Sequence, residues 1–467
     1  MSWIVEEEVL AKIKPSKEEC ELVKTIFERI SNTIREVSEA SGLAVEVTLQ
    51  GSIAHDTWLS GDRDLDVFVL FPTSLSLEEL KTKGFNILLE AAKRLGAYEL
   101  RFAEHPYVRV FINGVEADLV PAFKVSDPGK IISAVDRTPF HTTYVNQVLS
   151  HAEKDQVRLL KKFMKTIGVY GAELKTKGFS GYAVELLIAK YKSFRNVLEQ
   201  ASQWDIPTFI NIVGEDFTEN LKNKLKRKYP ESVIFLPDPV DPLRNVTANV
   251  SIRTLSTFIL ASKCFLKHPD TWFFEPDTPQ LQLNEIMKHS LERCIIVLKY
   301  SLNNPPPPDV LWGELQRVEN NIVNALKNHD FEPIDSSSWS DEKTVAFILL
   351  EASSCELPAH KLYVGPRASM KERSDSFIAK HAEGEYGPWI GKDGRLRSLR
   401  KRKSTDIVAV LKELMPVYNV PPHLKQNTPE ITRLSPEIAM EIVEKRGEAW
   451  LAEFILKKPL WMEKCIG

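Results

Sequence analysis

Cysteine is scarce in this chain, with five occurrences in 467 residues. None of the five lies in a C-x-x-C pair or at the spacing of zinc ligands. They are Cys20, Cys264, Cys294, Cys355 and Cys465. This pattern argues against a zinc module, and it predicts that the cysteines are reduced thiols.

Membrane and secretion features are also missing from the sequence. No apolar run reaches the roughly 20 residues that a membrane-spanning helix needs. The first residues, Met1 to Glu8, lack the basic and apolar regions of a signal peptide. We therefore expect a soluble, cytoplasmic protein with no membrane partner. We find no internal repeat, and a chain of this length predicts about two to four domains.

A basic excess is absent as well, because 61 Lys and Arg stand against 64 Asp and Glu. This balance argues mildly against nucleic-acid binding, although the charge of the contacted face matters more than the total. Basic residues gather in three clusters, which are Lys154/Arg158/Lys161/Lys162/Lys165, Lys222/Lys224/Lys226/Arg227/Lys228 and Arg395/Arg397/Arg400/Lys401/Arg402/Lys403. We interpret the second cluster as a solvated helix face. The third is the best candidate for contact with an RNA backbone.

The most informative segment that is present contains Gly51-Ser52, followed by Asp64-Leu65-Asp66 and an apolar run. Side chains alternate along a strand, so Asp64 and Asp66 are predicted to share one face. Two adjacent carboxylates suit Mg²⁺, which prefers oxygen ligands and binds substrate phosphates as well. The Gly-Ser pair predicts a turn into a short helix, where backbone N–H groups favour phosphate. A lone D-x-D is common in solvated loops, so this segment alone is weak evidence.

A third carboxylate strengthens the prediction. Asn113-Gly114 separates the apolar runs 107–112 and 115–120, which predicts a β-hairpin. Alternation then places Glu116 and Asp118 on one face. Acids on neighbouring strands could hold two Mg²⁺ ions about 3.5–4 Å apart, as in two-metal enzymes. The implied chemistry is nucleotidyl transfer from a nucleoside triphosphate to a 3′-hydroxyl.

Periodicity predicts the elements of the rest of the chain. Helices are expected over 77–95, over 153–168 with Lys161 at the edge of the apolar stripe, from the N-cap Ser180, and leading from Arg244. Strands are expected at 294–298 and 345–350, with a helix over 315–326 between them. The Pro-rich segment 304–309 predicts a stiff linker, and the last basic cluster predicts a basic tail followed by helices.

Together these segments resemble the archaeal, class I CCA-adding enzymes, which are tRNA nucleotidyltransferases. The resemblance covers most of the chain in order, and its motifs are GSIAHDTWLSGDRDLDVFVLFP, GVEADLVP, SAVDRTPFH, VRLLKKFMKTIGVYGAE, FSGYAVELLI, DPVDPLRNVTANVS and, more faintly, GPRASMKERSDSFIAKH. It implies an α+β multidomain fold. A polymerase-β-like nucleotidyltransferase catalytic domain, a mixed sheet with helices, would occupy 1–148. A helical central domain that completes the nucleotide pocket would occupy 149–270, and a small α+β tRNA-binding body with a helical, basic tail would occupy 271–467.

The resemblance also implies roles for individual residues. Asp64, Asp66 and Asp118 would be the catalytic ligands of Mg²⁺. The nucleotide-binding residues would be Ser52 and His55 near the triphosphate, Thr138, His141, Lys161 and Tyr170 at the triphosphate or ribose, and Arg244 at the base edge and the RNA backbone. Two positions depart from the family: His55 stands where relatives have arginine, and Asp64 where archaeal relatives often have glutamate. A neutral imidazole cannot replace a bidentate guanidinium on phosphate.

The implied activity is template-independent addition of CCA to the 3′ end of tRNA from CTP and ATP. The body and tail would hold the acceptor and T arms of tRNA, and homodimers are common in the family. Two alternatives stay open on the sequence: another nucleotidyltransferase of the superfamily, such as a poly(A) polymerase-like enzyme, and a non-catalytic RNA-binding protein on the same fold.

Overall fold

The computed structural model describes residues 4–102, 106–275, 283–415, 421–425 and 427–465. The chain forms two compact units, Met1–Asp277 with Pro459–Gly467, and Thr278–Lys458. The second unit is therefore inserted, in sequence, near the end of the first. Within the described residues, no helix is long and apolar enough to cross a membrane. The division into three domains stays a prediction.

The first unit combines a β-sheet with many helices. Its helices are α1 (Ile4–Ile13), α2 (Lys17–Ala40), α3 (Gly51–Ala54), α4 (Leu77–Glu79), α5 (Phe85–Leu95), α6 (Thr138–Val148), α7 (His151–Thr166), α8 (Gly181–Tyr191), α9 (Phe194–Ala201), α10 (Glu219–Lys228) and α11 (Ile252–Lys267). Its strands are β1 (Glu46–Gln50), β2 (Asp64–Phe71), β3 (Ala97–Phe102), β4 (Pro106–Ile112), β5 (Val115–Phe123), β6 (Thr208–Phe209) and β7 (Ile234–Phe235).

A five-stranded mixed sheet carries the predicted acids. Its order is β1-β2-β5-β4-β3, and β2 and β5 are parallel while the other pairs are antiparallel. The predicted hairpin is confirmed: β4 and β5 pair from Ile112 and Val115, and Asn113 and Gly114 take positive φ of 49° and 77°. Helices α2 and α5 bury apolar stripes against this sheet, including Ile30 and Leu88, which are fully buried.

A second core lies among helices α7, α8, α9 and α11. The predicted helix over 153–168 is observed as α7, and Ser180 is the N-cap of α8 because its hydroxyl accepts from the N–H of Ala183. Phe163 lies at the centre of this core, in contact with the rings of Phe194 and Phe265. Buried aromatic rings contribute strongly to packing because each covers a large apolar area.

The prediction that Arg244 leads a helix is wrong. Arg244 lies in a turn, where its N–H donates to the carbonyl of Asp241 at 2.8 Å, and α11 begins only at Ile252. The side chain of Asn245 holds this loop, since its Oδ1 accepts from the N–H of Leu236 and of Thr247 at 2.9 and 3.2 Å. These hydrogen bonds give the two backbone N–H groups the partners that they would otherwise need from regular secondary structure.

The second unit contains two further sheets. Its helices are α12 (Leu283–Lys288), α13 (Pro308–Asn328), α14 (Lys371–His381), α15 (Ile407–Leu414), α16 (Pro422–Lys425), α17 (Pro436–Glu444) and α18 (Glu448–Leu456). Its strands are β8 (Cys294–Ser301), β9 (Pro333–Ser340), β10 (Val345–Ala352), β11 (His360–Arg367), β12 (Tyr386–Ile390), β13 (Arg395–Lys401) and β14 (Glu430–Arg433). The sheets have the orders β14-β8-β10-β9 and β11-β13-β12.

The predicted strands at 294–298 and 345–350 and the helix over 315–326 are confirmed as β8, β10 and α13. Two predictions there are wrong. The Pro-rich linker is shorter than expected, because Pro308 opens α13, where the missing N–H of proline costs nothing. The last basic cluster is not a tail: most of it forms the central strand β13, in which Leu396 and Ser398 are buried and only Arg395 and Lys401 are exposed.

The prediction of reduced thiols is also wrong for four cysteines. Cys264 pairs with Cys465, and Cys294 with Cys355, with Cα–Cα distances of 5.0 and 5.2 Å. Cys20 is free and exposed. The partners are 201 and 61 residues apart in sequence, so local spacing rules could not detect them.

Candidate active site

The three predicted acids lie side by side on two parallel strands. Asp64 and Asp66 open β2, and β5 lies next to it in a register that pairs Asp66 with Asp118 and Asp64 with Glu116. The intervening residues Leu65 and Ala117 are buried in the core. The alternation that the sequence predicted is therefore observed, and it presents the acids on the face opposite that core.

The Gly-Ser turn lies directly against these acids. Gly51 has a φ of +68°, and a Cβ placed on it would lie 2.0 Å from Oδ2 of Asp66. Only glycine fits this close approach without displacing the carboxylate. Ser52, the next residue, is thereby brought next to the acid cluster.

The acids carry charge that is only partly compensated. Burial, followed by the charges of Asp118 and Asp64, raises the pKa of Asp66 to about 6. Burial and the neighbouring Glu116 also raise the pKa of Asp64. A divalent cation would relieve this repulsion, and carboxylate oxygens are the donors that Mg²⁺ prefers. The residues at this position therefore fit the metal that the fold implies.

Arg109 on β4 binds the third acid in this structure. Its Nε and Nη2 donate to the two oxygens of Asp118 at 2.6 and 2.8 Å, and its Nη1 donates to Glu116 at 2.9 Å. The carboxylates are therefore of the right type for a metal, but in the positions that the side chains take here no group of three or more His, Cys, Asp or Glu among the described residues is already arranged around a metal site. The hydrogen bonds to Asp118 raise the pKa of Arg109, so its positive charge is secure.

Lys161, which the sequence placed at the edge of the apolar stripe of its helix, is buried. It is 3% exposed, and its Nζ donates to the carbonyl and the hydroxyl of Thr57 at 3.1 and 3.3 Å. Burial lowers the pKa of this lysine, while the nearby Glu185 carboxylate counteracts the shift. Thr57 follows the Gly-Ser turn closely, so Lys161 ties α7 to that turn.

Both ring nitrogens of His55 bind protein groups. Nδ1 lies 2.9 Å from Oε1 of Glu185, and Nε2 lies 2.9 Å from the hydroxyl of Thr142. Burial opposes the ionisation of Glu185, but the hydrogen bond from His55 and the charge of Lys161 hold its pKa below the usual range. His55 itself is only 4% exposed. A contact between His55 and a triphosphate stays a prediction.

His141 and Arg244 converge on one carboxylate. His141 on α6 and Arg244 in the turn before α11 both bind Oδ2 of Asp238, at 2.8 and 2.9 Å. The ring of Tyr182 stacks on His141 with a centroid separation of 4.0 Å. The structure thus brings together two residues that are about 100 positions apart in sequence.

Thr138 and Tyr170 complete the set of predicted residues. Thr138 is the first residue of α6. Tyr170 follows α7 and forms a β-bridge with Phe179, and burial raises the pKa of its phenol. A Cβ on Gly181 would lie 3.0 Å from the Tyr170 hydroxyl, so that hydroxyl lies close to the start of α8. The nucleotide contacts of both residues stay predictions.

The first basic cluster is largely internal, which the sequence did not predict. Arg158 is 1% exposed and donates to the carbonyl of Trp58 at 3.0 Å and to Asp155 at 2.7 Å, and it also pairs with Asp56. Lys154 is buried too and binds the side chain of Asn146. These groups hold α7 against its neighbours and are not free to bind RNA.

Sequence reasoning missed three residues that bind the predicted ones: Arg109, Glu185 and Asp238. Glu185 carried a usable signal, because an acid inside the apolar run of α8 needs a buried partner. Arg109 also carried one, since it alternates with buried valines opposite the acidic strand. Asp238 is the first residue of the motif DPVDPLRNVTANVS, but nothing in the sequence distinguishes it from the other polar residues of that motif.

The fold and the acid cluster define a nucleotidyltransferase. Family models agree: a nucleotidyltransferase domain matches residues 30–141, the second domain of tRNA nucleotidyltransferase matches 155–275, and the C-terminal domain of CCA-adding enzyme matches 293–425. The CCA-adding enzyme of Saccharolobus shibatae is 39% identical over 463 residues, covering 98% of this chain and 100% of the relative. That of Sulfolobus acidocaldarius is 37% identical, covering 98% and 99%. The chain belongs to the family of CCA-adding enzymes, the tRNA nucleotidyltransferases that complete the 3′ end of tRNA.

Proposed function

We propose that this enzyme adds C, C and A in turn to the 3′ end of tRNA, using CTP and ATP, at the acid cluster of β2 and β5. The observation that carries the assignment of the site is the parallel register of Asp66 with Asp118, with Gly51 in close contact with Asp66. Asp64, Asp66 and Asp118 would hold two Mg²⁺ ions. When bound, such a metal pair activates the attacking hydroxyl and stabilises the leaving phosphates.

The protein groups around the acids would bind and orient the nucleotide. Ser52 follows the glycine that contacts Asp66, so its hydroxyl is proposed to meet the triphosphate there. Lys161 is held close to the same turn through Thr57, and a lysine charge offsets part of the triphosphate charge. Thr138, His141 and Tyr170 are assigned to the triphosphate or ribose, and Arg244 to the base edge.

Addition to defined tRNA ends tests the activity. Transcripts that end before CCA, after the first C and after the second C are each incubated with labelled CTP or ATP. Ordered incorporation of C, C and A is expected. A poly(A) polymerase-like enzyme would ignore CTP, and incorporation of only one nucleotide would indicate a partial activity.

The acid assignment is tested by Asp66→Ala in the same assay, with Asp216→Ala as the control because Asp216 is an exposed aspartate of the same unit. CTP incorporation is expected to fall by at least about a hundredfold, since removal of even a supporting partner of a metal ligand costs up to that much. Unchanged incorporation by Asp66→Ala would contradict the site.

The second unit is proposed to hold the acceptor and T arms of tRNA, mainly through backbone and shape, as is usual for double-stranded RNA. On and next to β13, Arg395, Lys401 and Lys403 are exposed, whereas Arg402 pairs with Asp330. Substitution of those three by Gln is expected to weaken tRNA binding and to lower its salt dependence by about one unit of slope per lost phosphate contact. Lys224→Gln with Arg227→Gln on α10 is the control, and an equal effect there would contradict the assignment.

We further propose that the protein forms a homodimer, as is common in the family that the chain resembles. We also propose that it acts in the cytoplasm, where tRNA, CTP and ATP occur together. Sedimentation of the purified protein tests the first proposal. A single species with the mass of one 53.1 kDa chain would contradict the homodimer.

A further inference from the structure

Asp238 is a fully buried carboxylate in the segment between β7 and α11, with 0% exposure. Four groups donate hydrogen bonds to it. Oδ1 accepts from the Tyr182 hydroxyl at 3.1 Å and from the N–H of Val240 at 3.0 Å. Oδ2 accepts from Nε2 of His141 at 2.8 Å and from Nη1 of Arg244 at 2.9 Å. The carboxylate is therefore saturated by partners from three separate segments.

The partners of Asp238 are more exposed than Asp238 itself. The side chain of Arg244 is 35% exposed and that of His141 is 13% exposed. Because Nε2 of His141 donates to the carboxylate, Nδ1 points elsewhere, and within the described part of the chain it has no hydrogen-bond partner. The buried ends of both side chains are thus fixed, and their other polar atoms remain available to a ligand.

A purely structural role does not require this arrangement. Burying a carboxylate is costly unless charged partners and hydrogen bonds compensate, and a neutral side chain would avoid that cost. What the charge provides is a common anchor: one acid fixes the orientation of an imidazole and of a guanidinium at once. Tyr182 adds to this by donating to the same acid while stacking on the His141 ring with an interplanar angle of 22°.

We propose that Asp238 is the positioning residue of the nucleotide pocket: it sets the places of His141 and Arg244 relative to each other, so that both meet the same incoming nucleotide. This rests on the proposed function, in which those two residues contact CTP and ATP. Asp238 itself does not touch the nucleotide. Its effect on the reaction runs through its two partners.

The test is Asp238→Asn in the full-length enzyme, which keeps the shape of the side chain and removes its charge. With tRNA saturating, KM for both CTP and ATP is expected to rise by about tenfold, with a smaller change in kcat, because ground-state binding is what the anchor supports. The matched control is Asp241→Asn in the same loop, where Asp241 pairs with Arg137 at 3.3 Å. That control should keep both KM values.

A double-mutant cycle separates positioning from general destabilisation. Because Asp238 acts through both of its partners, Asp238→Asn is expected to add little to a variant that already carries His141→Ala and Arg244→Ala, since the effects of coupled residues are not additive. An equal rise in KM in both backgrounds would overturn the proposal, and so would a KM for both nucleotides within twofold of the wild type in Asp238→Asn alone.

Tyr182→Phe keeps the proposal testable if Asp238→Asn does not fold. It removes one hydrogen bond to Asp238 and keeps the ring that stacks on His141. A smaller rise in KM, about twofold to threefold, is expected for both nucleotides, at the scale of one hydrogen bond. Unchanged KM values in this variant would overturn the proposal. Failure of the wild type to add C, C and A would instead refute the proposed function, so the two failures are distinguishable.

Discussion

Arg109 and Asp118 are cross-strand partners in the β4–β5 pair, and one guanidinium binds both oxygens of that carboxylate, at 2.6 and 2.8 Å. In the same sheet Asp118 is also the register partner of Asp66. The residue proposed to ligate the metal is thus held by a competing cation. A metal that binds Asp118 must share or displace these hydrogen bonds.

Arg109→Gln is therefore expected to bind a divalent cation more tightly than the wild type in the absence of nucleotide. Removing one positive charge next to the acid cluster should lower the dissociation constant for Mn²⁺ by about tenfold, since charge pairs at this range contribute on the order of a kcal/mol or more. Titration of free Mn²⁺ by electron paramagnetic resonance measures this directly. The control is Arg101→Gln on β3, where Arg101 pairs with Glu99. Weaker Mn²⁺ binding by Arg109→Gln would show that Arg109 orients Asp118 as a ligand.

Asp66→Asn is expected to abolish nucleotide addition and to stabilise the metal-free fold. Burial and the neighbouring acids raise the pKa of Asp66 from 3.8 to about 6, so ionisation of Asp66 destabilises the folded state, and this cost develops as the pH rises from 3.8 to about 6. Replacing it with a neutral side chain of similar shape removes this penalty, which we expect to raise the free energy of unfolding by about 1 kcal/mol. Urea unfolding in the presence of EDTA measures the change.

Asp216→Asn provides the comparison for that experiment, because Asp216 is exposed and distant in sequence from the acid cluster. It should leave both activity and stability unchanged. If Asp66→Asn were less stable than the wild type, the acid cluster would not be the source of strain that its pKa indicates.

The acid cluster could be predicted from the sequence because its geometry is local. Strand alternation fixes Asp64 relative to Asp66, and the Asn-Gly turn fixes the start of β5. The register between β2 and β5 was therefore the one feature of the cluster that the sequence did not determine. The partners of the predicted residues could not be found in this way. Asp238 and His141 are 97 positions apart, and nothing in the spacing of either indicates the other.

The burial of the basic residues of α7 could likewise not be predicted from the periodicity of the sequence. Helix α7 has apolar positions that indicate one buried face, and this pattern placed Lys161 only at the edge of that face and gave no sign that Arg158 is buried. Both are buried because the loop that follows the Gly-Ser turn covers a second side of the helix, where Trp58 and Thr57 accept their hydrogen bonds. Helical periodicity identifies the apolar face of a helix, and it does not show that another segment covers a second, polar face.

Glu19 on α2 provides a pH-dependent link to the turn that precedes β2. Its carboxylate accepts from the Ser60 hydroxyl at 2.9 Å, from the N–H of Gly61 at 3.0 Å and from Arg63 at 3.3 Å. Although burial opposes ionisation, the hydrogen bond from the N–H of Ser16 at 3.0 Å, together with those from Gly61, Ser60 and Arg63, holds the pKa of Glu19 at about 2. Because the folded-state pKa is depressed, the stabilisation is complete above the ordinary value of 4.5 and is lost as the pH falls towards 2.

Glu19→Gln should therefore lower the free energy of unfolding by roughly 2 kcal/mol near neutral pH, the usual scale for hydrogen bonds to a charged group. The difference from the wild type should shrink as the pH is lowered through 4.5, where the unfolded carboxylate becomes protonated. Urea unfolding across this range measures both. Glu36→Gln, at an exposed position of the same helix, is the control. A difference that does not change with pH would show that shape, and not charge, is what Glu19 contributes.

The two disulfides predict how the thiols react. Only Cys20 is free in this structure, so an alkylating reagent should modify one of the five cysteines in the native, unreduced protein and all five after reduction and denaturation. Mass spectrometry counts the modified thiols. Modification of all five in the native protein without reductant would show that the paired cysteines are reduced in solution.

The Cys294–Cys355 disulfide lies within the second unit and joins the start of β8 to the segment after β10. A cross-link over 61 residues restricts the unfolded chain, and disulfides of this kind typically contribute about 2–4 kcal/mol. Cys294→Ser combined with Cys355→Ser should therefore lower the free energy of unfolding by that amount, measured with urea under non-reducing conditions. Cys20→Ser is the matched control and should leave the free energy of unfolding unchanged. If reductant lowered the stability of the double variant as much as that of the wild type, the loss would come from the Cys264–Cys465 disulfide, and the contribution assigned to Cys294 and Cys355 would be wrong.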